Sequence, residues 1–205
     1  MRYDTHELPT TVDEYLRWEE QSAMRHEYVV GHVYAMSGAT KRHNLITLNI
    51  ASALRGRVRQ LGCQVFVTDI KLKVAEDRYY YPDVTVACGR AADFDEIMTQ
   101  PSLVVEVTSK STRRNDNHEK LDAYKGLRSL RAYLIVDQRR KHVILISRSA
   151  CGHWDRAEIT EGDVALDFLG YTLSIDQIYD DVTLPPMSVG EEDEADNAEE
   201  DDDVY

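Results

Sequence analysis

Two carboxylates stand in segments of the sequence that otherwise read as strands buried in a core. Glu106 lies in the apolar run PSLVVEVTSK at residues 101–110, and Asp83 follows Pro82 in the run YYYPDVTVAC at residues 79–88. A buried carboxylate without a partner costs several kcal/mol, so each needs a cation or a basic side chain beside it. If the two strands are neighbours, as consecutive strands usually are, the two carboxylates converge on one point.

Two carboxylates and water form the usual protein share of a magnesium site, whose remaining ligands come from substrate phosphate. A divalent cation between Asp83 and Glu106 would offset the cost of burying Glu106 and would activate water for phosphodiester hydrolysis. The alternative is a structural pairing of Glu106 with a lysine or an arginine. Residue types and spacing alone leave both interpretations open.

The elements that must position these carboxylates follow from periodicity and capping. A short helix is predicted after the Thr10/Thr11 cap, a hairpin or bent strand around Gly31, and a long helix over residues 41–61, closed by Gly62. The remaining predicted elements are a strand at 65–74, a strand that begins near Pro82 and runs to residue 88, a strand at 101–109, a helix at 115–127, a strand at 131–137 and a hairpin at 141–160. This order predicts an α/β fold with a mixed sheet.

Charge is distributed unevenly along the 205 residues. All 24 lysines and arginines lie at or before Arg156 together with 20 acidic residues, whereas residues 157–205 carry 17 acidic residues and no basic one. The formal charge of -13 therefore does not exclude a nucleic-acid partner for the main part of the chain. We predict one domain over residues 1–186 and a disordered acidic tail over residues 187–205.

The three cysteines, Cys63, Cys88 and Cys151, are far apart and form no CxxC pair. This pattern predicts neither a zinc cluster nor a disulfide framework, and it fits a reducing cytoplasm. No apolar segment approaches the roughly 20 residues that a membrane span requires. We therefore expect a cytoplasmic protein.

Five stretches resemble a known family in their content and order: HEYVVGHVYAMSGATKRHN, YYYPDVTVAC, LVVEVTSKSTRRND, EKLDAYKGLRSLRAYLIVDQ and LGYTLSIDQIYDDV. Together they resemble the PD-(D/E)XK superfamily and, within it, the bacterial Uma-type family of restriction endonucleases. The resemblance implies a restriction-endonuclease-like mixed β-sheet flanked by helices, with an N-terminal helix and hairpin and a C-terminal β-hairpin added. It also implies an endonuclease that uses Mg²⁺ or Mn²⁺ to hydrolyse nucleic-acid phosphodiester bonds, with DNA as the first candidate substrate.

The superfamily pattern has a lysine two residues after the acidic residue, where this sequence has Thr108. The family is similar in lacking that lysine, and Lys120 in the following helix is the candidate replacement. The implied catalytic set is therefore Asp83, Glu106 and Lys120, with Lys110 as a second candidate lysine. A structural pairing of Lys120 on an exposed helix face is the alternative.

The resemblance extends to residues around this set. Glu27 matches a family carboxylate and is a candidate third metal ligand, with a surface salt bridge as the alternative. His43 heads the long helix, where it could position water or phosphate or could make an ordinary cap contact. We assign the same positioning role to Lys110, Arg113 and Tyr124.

Two functions of different classes remain open at this stage. The first is a divalent-metal-dependent nuclease, and the second is a catalytically silent module that binds nucleic acid or protein on the same fold. A homodimer is compatible with the first, because many nucleases must reach two strands. Convergence of Asp83, Glu106 and a lysine would favour the nuclease.

Overall fold

The structure is a computed structural model that describes residues 8–36, 38–89, 96–108 and 119–186. The helices are α1 (Val12–Glu20), α2 (Lys41–Gln60), α3 (Leu121–Lys125) and α4 (Ile175–Ile178). The strands are β1 (His26–Val29), β2 (His32–Ala35), β3 (Cys63–Val67), β4 (Lys71–Ala75), β5 (Arg78–Tyr80), β6 (Val84–Cys88), β7 (Ile97–Met98), β8 (Pro101–Thr108), β9 (Ala132–Asp137), β10 (Val143–Arg148), β11 (Trp154–Ile159), β12 (Asp163–Leu166) and β13 (Tyr171–Ser174).

The larger sheet has six strands in the order β11-β10-β9-β8-β6-β3. β8 and β9 are parallel, and the other neighbours in this sheet are antiparallel. β8 therefore lies in the interior of the sheet, which explains why its sequence is apolar on both faces. Glu106 sits near the end of this buried strand.

One face of the six-stranded sheet packs against α2. The apolar stripe of α2, Ile46, Ile50, Leu54 and Val58, is fully buried against strand residues that include Val84, Val105 and Val107. The C-terminal elements close the same core from the other side of α2 through Leu173, Ile175 and Ile178. The 20-residue helix predicted from its period is thus the main cover of this face.

The opposite face packs against the region of α3. Tyr124, Leu127 and Leu130 contact a core that includes Val104 and Tyr133. Leu72 and Tyr80, from β4 and β5, belong to the same core, so this face also joins the larger sheet to the smaller one.

The smaller sheet has five strands in the order β2-β1-β5-β4-β7. β1 and β2 form the predicted hairpin, whose turn holds Val30 and Gly31 at φ angles of 47° and 82°. Helix α1 covers this sheet through Tyr15, which stacks on Tyr28 with ring centroids 4.9 Å apart. Thr11 caps α1 in a capping box with Glu14.

The mixed α/β class is confirmed, but the expected continuity of one strand is wrong. The segment 65–74 was expected to form one strand and instead divides at Thr68 and Asp69, which adopt positive φ angles of 38° and 54°. The strand expected to begin near Pro82 begins at Val84 as β6, and the residues before Pro82, which cannot donate a ladder hydrogen bond, form the separate strand β5. Residues 65–74 and 79–88 each contribute to both of the two large sheets, where a single mixed sheet was expected.

The expectation that no disulfide forms is also wrong. Cys63 and Cys88 lie opposite each other on β3 and β6 and form a disulfide, whereas Cys151 is free and exposed. The argument for a reducing compartment therefore loses its basis, and the cytoplasmic location stays a prediction. Within the described ranges, no helix is long and apolar enough to cross a membrane. The acidic tail at 187–205 lies outside the described residues.

Candidate active site

The pairing of β6 with β8 brings the two conspicuous carboxylates together. Val84 pairs with Val105 and Thr85 with Val104, so the same antiparallel register, continued by one residue, places Asp83 opposite Glu106. The two side chains have different neighbours, since Asp83 contacts His43 of α2 and Glu106 contacts Lys120 and Tyr124 on the α3 side. In addition, Asp83 Oδ2 accepts a hydrogen bond of 2.7 Å from the backbone N–H of Val107.

Glu106 is buried against the region of α3, and its carboxylate has two partners there. Lys120 Nζ lies 3.1 Å from Glu106 Oε1, and the hydroxyl of Tyr124 donates to the same oxygen at 2.8 Å. Burial and the neighbouring Glu106 carboxylate raise the pKa of Tyr124 well above its usual value, so Tyr124 stays a donor. An ammonium and a hydroxyl therefore stabilise the buried carboxylate.

Lys120 also joins Glu106 to the hairpin of the smaller sheet. Its ammonium lies 2.9 Å from Glu27 Oε1, and the same oxygen accepts a longer hydrogen bond of 3.4 Å from the backbone N–H of Tyr81. The ammonium also lies 5.3 Å from the centroid of the Tyr80 ring, within the range of a cation–π contact. Lys120 thus bridges two carboxylates that come from two different sheets.

Asp83 contacts the first turn of α2. His43 Nε2 lies 3.1 Å from Asp83 Oδ2, the oxygen that also accepts the Val107 N–H. No described residue donates to the other oxygen, Asp83 Oδ1. His43 therefore orients the carboxylate and leaves one oxygen available to a ligand.

A second buried network lies next to Glu27 on β1 and next to the residues that precede Asp83. Glu19 of α1 is fully buried, and its Oε1 accepts hydrogen bonds from the His26 N–H at 3.0 Å and from the Tyr81 hydroxyl at 2.9 Å. His26 precedes Glu27, and Tyr81 lies two residues before Asp83. This role could not be predicted from the sequence, because Glu19 belongs to a charged helix with the pattern of a peripheral element.

The chemistry of the carboxylates fits a hard divalent cation, which prefers oxygen ligands. Asp83 Oδ1 supplies an oxygen without a donor among the described residues, and Glu106 stands opposite it in the register. Among the same residues, no group of three His, Cys, Asp or Glu side chains could hold a metal ion. The suggested three-carboxylate set, with Glu27 beside Asp83 and Glu106, is therefore not assembled in this arrangement.

The structure describes six of the eight residues singled out from sequence: Asp83, Glu106, Glu27, Lys120, His43 and Tyr124. Five of them form two contact groups, Lys120 with Glu27 and Glu106, and His43 with Asp83, and the pairing of β6 with β8 sets the two groups side by side. Tyr124 joins them from inside the core, where its hydroxyl faces Glu106. Lys110 and Arg113 lie outside the described residues.

Thr40 and Gln138, which lie near the same end of β8 and β9, were not singled out from the sequence. The Thr40 hydroxyl donates to Gln138 Oε1, and the Gln138 N–H donates to the carbonyl of Thr108 at 3.2 Å. Gln138 follows the buried strand β9, which is parallel to β8. A polar residue directly after a buried strand was the one feature of the sequence that could have indicated a functional role for Gln138.

Comparison with known proteins places this geometry in context. The model of the Uma2 family, described as "Putative restriction endonuclease", matches residues 12–176. The uncharacterized protein slr1290 of Synechocystis is 31% identical over 170 residues, which cover 82% of this chain and 90% of that protein. The uncharacterized protein sll1609 of the same organism is 30% identical over 162 residues, 77% of this chain and 92% of that protein.

A solved structure shares the fold. The crystal structure of a "putative nuclease belonging to DUF820" from Anabaena variabilis aligns with a TM-score of 0.69 and 16% sequence identity. The alignment covers 83% of this chain and 98% of that one. The chain therefore has the overall fold of that protein.

Proposed function

This chain belongs to the Uma2 family. From that premise we propose that it is a divalent-metal-dependent endonuclease that hydrolyses the phosphodiester bonds of nucleic acid. DNA is the first candidate substrate. The proposal is supported by the location of three residues: Lys120 contacts Glu106, and the register of β6 against β8 sets the backbone of Asp83 beside Glu106 at one end of these strands. These are the residue types of the PD-(D/E)XK pattern, with the lysine supplied from beside α3 and not from the strand. Their common location favours retained chemistry over an inherited fold alone.

Each residue has a distinct role in this proposal. Asp83, through Oδ1, and Glu106 would hold Mg²⁺ or Mn²⁺. The bound cation would supply a nucleophilic water at neutral pH and neutralise charge on the phosphate. His43 keeps Asp83 oriented, and Tyr124 keeps Glu106 oriented.

Lys120 supplies the positive charge that hydrolysis of a phosphodiester requires beyond the metal. Its ammonium is held between Glu27 and Glu106 within about 3 Å of each. Negative charge builds on the phosphate oxygens during attack, and a fixed ammonium stabilises that charge without reorganising. In this arrangement Glu27 acts as an anchor for Lys120.

The second candidate, a silent binding module, also has an observation in its favour. Lys120 already pairs with both Glu106 and Glu27, and the described residues hold no group of three metal-ligating side chains. A chain that had lost metal binding would keep such a pairing for stability. The two functions differ in whether binding leads to cleavage.

The test is cleavage of closed circular plasmid DNA and of a structured RNA, with Mg²⁺ or Mn²⁺ and with EDTA. We expect metal-dependent nicking that Asp83→Asn and Glu106→Gln abolish and that Lys120→Met reduces by about 10²- to 10³-fold. Glu161→Gln, which removes an exposed carboxylate outside both contact groups, is the control and should keep full activity.

Cleavage that persists in Asp83→Asn would refute the assignment, since the activity would then come from elsewhere. Binding of nucleic acid without cleavage under every metal condition would support the silent module. A homodimer remains a prediction, and the mass of the active species in light scattering would test it.

A further inference from the structure

The first turn of α2 has backbone N–H donors that could bind an anion, and no acidic side chain of the described residues occupies them. Thr40 caps the helix by accepting the N–H of His43 at 3.1 Å, and its carbonyl accepts the N–H of Asn44. No described residue accepts from the N–H groups of Lys41 and Arg42. The turn carries no acidic residue, and its basic residues stand at the positive end of the helix dipole.

The side chain of Arg42 is a second, independent indication that a hydrogen-bond acceptor binds at this turn. Only two buried side-chain polar atoms of the described residues lack a hydrogen-bond partner, Arg42 Nε and Thr108 Oγ1. Arg42 also forms no ion pair within the described part of the chain. A buried guanidinium N–H without an acceptor is costly, so an acceptor from outside the chain would stabilise it.

Gln138 also contacts this turn, and its side chain carries an amide donor. Its side chain is nine-tenths buried or more, with the residue 5% exposed. Gln138 Oε1 accepts from the hydroxyl of Thr40, the N-cap residue, so the amide is fixed beside the helix terminus. No described residue accepts from Gln138 Nε2.

This turn borders the candidate active site. His43, one residue after Arg42, contacts Asp83 at 3.1 Å, and the Gln138 N–H bonds to Thr108, two residues after Glu106. A ligand on the turn would therefore lie next to a phosphate held at Asp83 and Glu106.

We propose that the first turn of α2, together with Arg42 and Gln138, binds a backbone phosphate of the nucleic acid adjacent to the one that is cleaved. A phosphodiester carries one negative charge and accepts several hydrogen bonds, which matches two backbone N–H groups, a guanidinium and an amide. The identity of the ligand as nucleic acid depends on the proposed function. The anion site itself depends only on the geometry of the turn.

The test is binding of a short fluorescein-labelled DNA duplex in EDTA, where no cleavage can occur, over a series of salt concentrations. Arg42→Gln should weaken binding and should lower the slope of log affinity against log salt by about 0.9, the value for one phosphate contact. Arg55→Gln is the matched control, because it removes one charge from an exposed position on the same helix. It should leave the slope nearly unchanged.

Gln138→Glu provides a second variant that keeps the acceptor for Thr40 and replaces the amide donor by a carboxylate. It should weaken duplex binding strongly while the folded state, followed by circular dichroism, is retained. Titration with inorganic phosphate should shift the backbone amide signals of Lys41 and Arg42 in ¹H–¹⁵N spectra.

Equal effects of Arg42→Gln and Arg55→Gln would overturn the site, since only overall charge would then matter. Absence of both duplex binding and phosphate-induced shifts would overturn it as well. Duplex binding through Arg42 without metal-dependent cleavage would uphold the anion site and refute the nuclease. Cleavage with an unchanged salt slope in Arg42→Gln would uphold the nuclease and refute the anion site.

Discussion

Replacement of Lys120 by methionine tests the buried cluster without any assumption about catalysis. The Lys120 ammonium lies 2.9 Å from Glu27 and 3.1 Å from Glu106, and the three side chains are only 10%, 17% and 8% exposed. Methionine preserves most of the apolar stem but removes the charge. Of the two donors to Glu106 described above, the Lys120 ammonium and the Tyr124 hydroxyl, only the hydroxyl would then remain.

We expect Lys120→Met to lower the free energy of unfolding by about 3 to 5 kcal/mol, the cost of removing one partner from a buried ion pair. Combination with Glu106→Gln should recover part of this loss, because the double variant buries no unpaired charge at that position. The coupling energy between the two substitutions should reach about 2 kcal/mol. Urea titrations of all four proteins in metal-free buffer at pH 7 would supply these values.

Lys125→Met is the matched control, because it removes the same charge from α3 at a residue with no ion-pair partner among those described. Its effect should stay within about 0.5 kcal/mol. A loss below 1 kcal/mol for Lys120→Met, or additive effects with Glu106→Gln, would refute the buried pairing, since additivity is the behaviour of independent sites.

Two further predictions concern stability. Burial is the first cause that raises the pKa of six tyrosines above the usual value near 10: Tyr15, Tyr79, Tyr80, Tyr81, Tyr124 and Tyr179. The unfolded chain therefore loses these protons first, so stability should be fully present below about pH 10 and should fall as the pH rises further. Denaturant titrations with tyrosinate absorbance would measure this, and tyrosines that all ionise near pH 10 in the folded protein would contradict it. Reduction of the Cys63–Cys88 disulfide, which closes a loop of 25 residues, should lower the free energy of unfolding by roughly 3 to 4 kcal/mol. Equal stability after confirmed reduction would disprove this contribution.

Elements with a local signal were predictable from the sequence. The long helix α2 follows from its apolar period and from Gly62 after it, and the β1–β2 hairpin follows from apolar residues around Gly31. β8 was recognisable as a buried strand because it is apolar on both faces. Glu106 stood out within it for the same reason.

Features that depend on pairing between distant segments were not predictable. The segment 65–74 is apolar on both sides of the polar pair Thr68 and Asp69, and this short interruption alone did not indicate that the chain leaves one sheet and enters the other. The disulfide depends on the register of β3 against β6, which a single sequence does not specify. The placement of Lys120 beside Glu106 was predicted from the family resemblance. Helix periodicity alone was equally compatible with Lys120 in an ion pair on an exposed helix face.

The cluster around Lys120 unites parts of the chain that are synthesised at different times. Glu27 is made early, whereas Lys120 comes 93 residues later. Glu106 becomes enclosed only when β9 has paired with β8. Contacts of such long range form late, because the loops between them must close first. A nascent chain still emerging from the ribosome therefore lacks the assembled cluster, so a newly made molecule acquires any cutting activity only after its synthesis has passed residue 137.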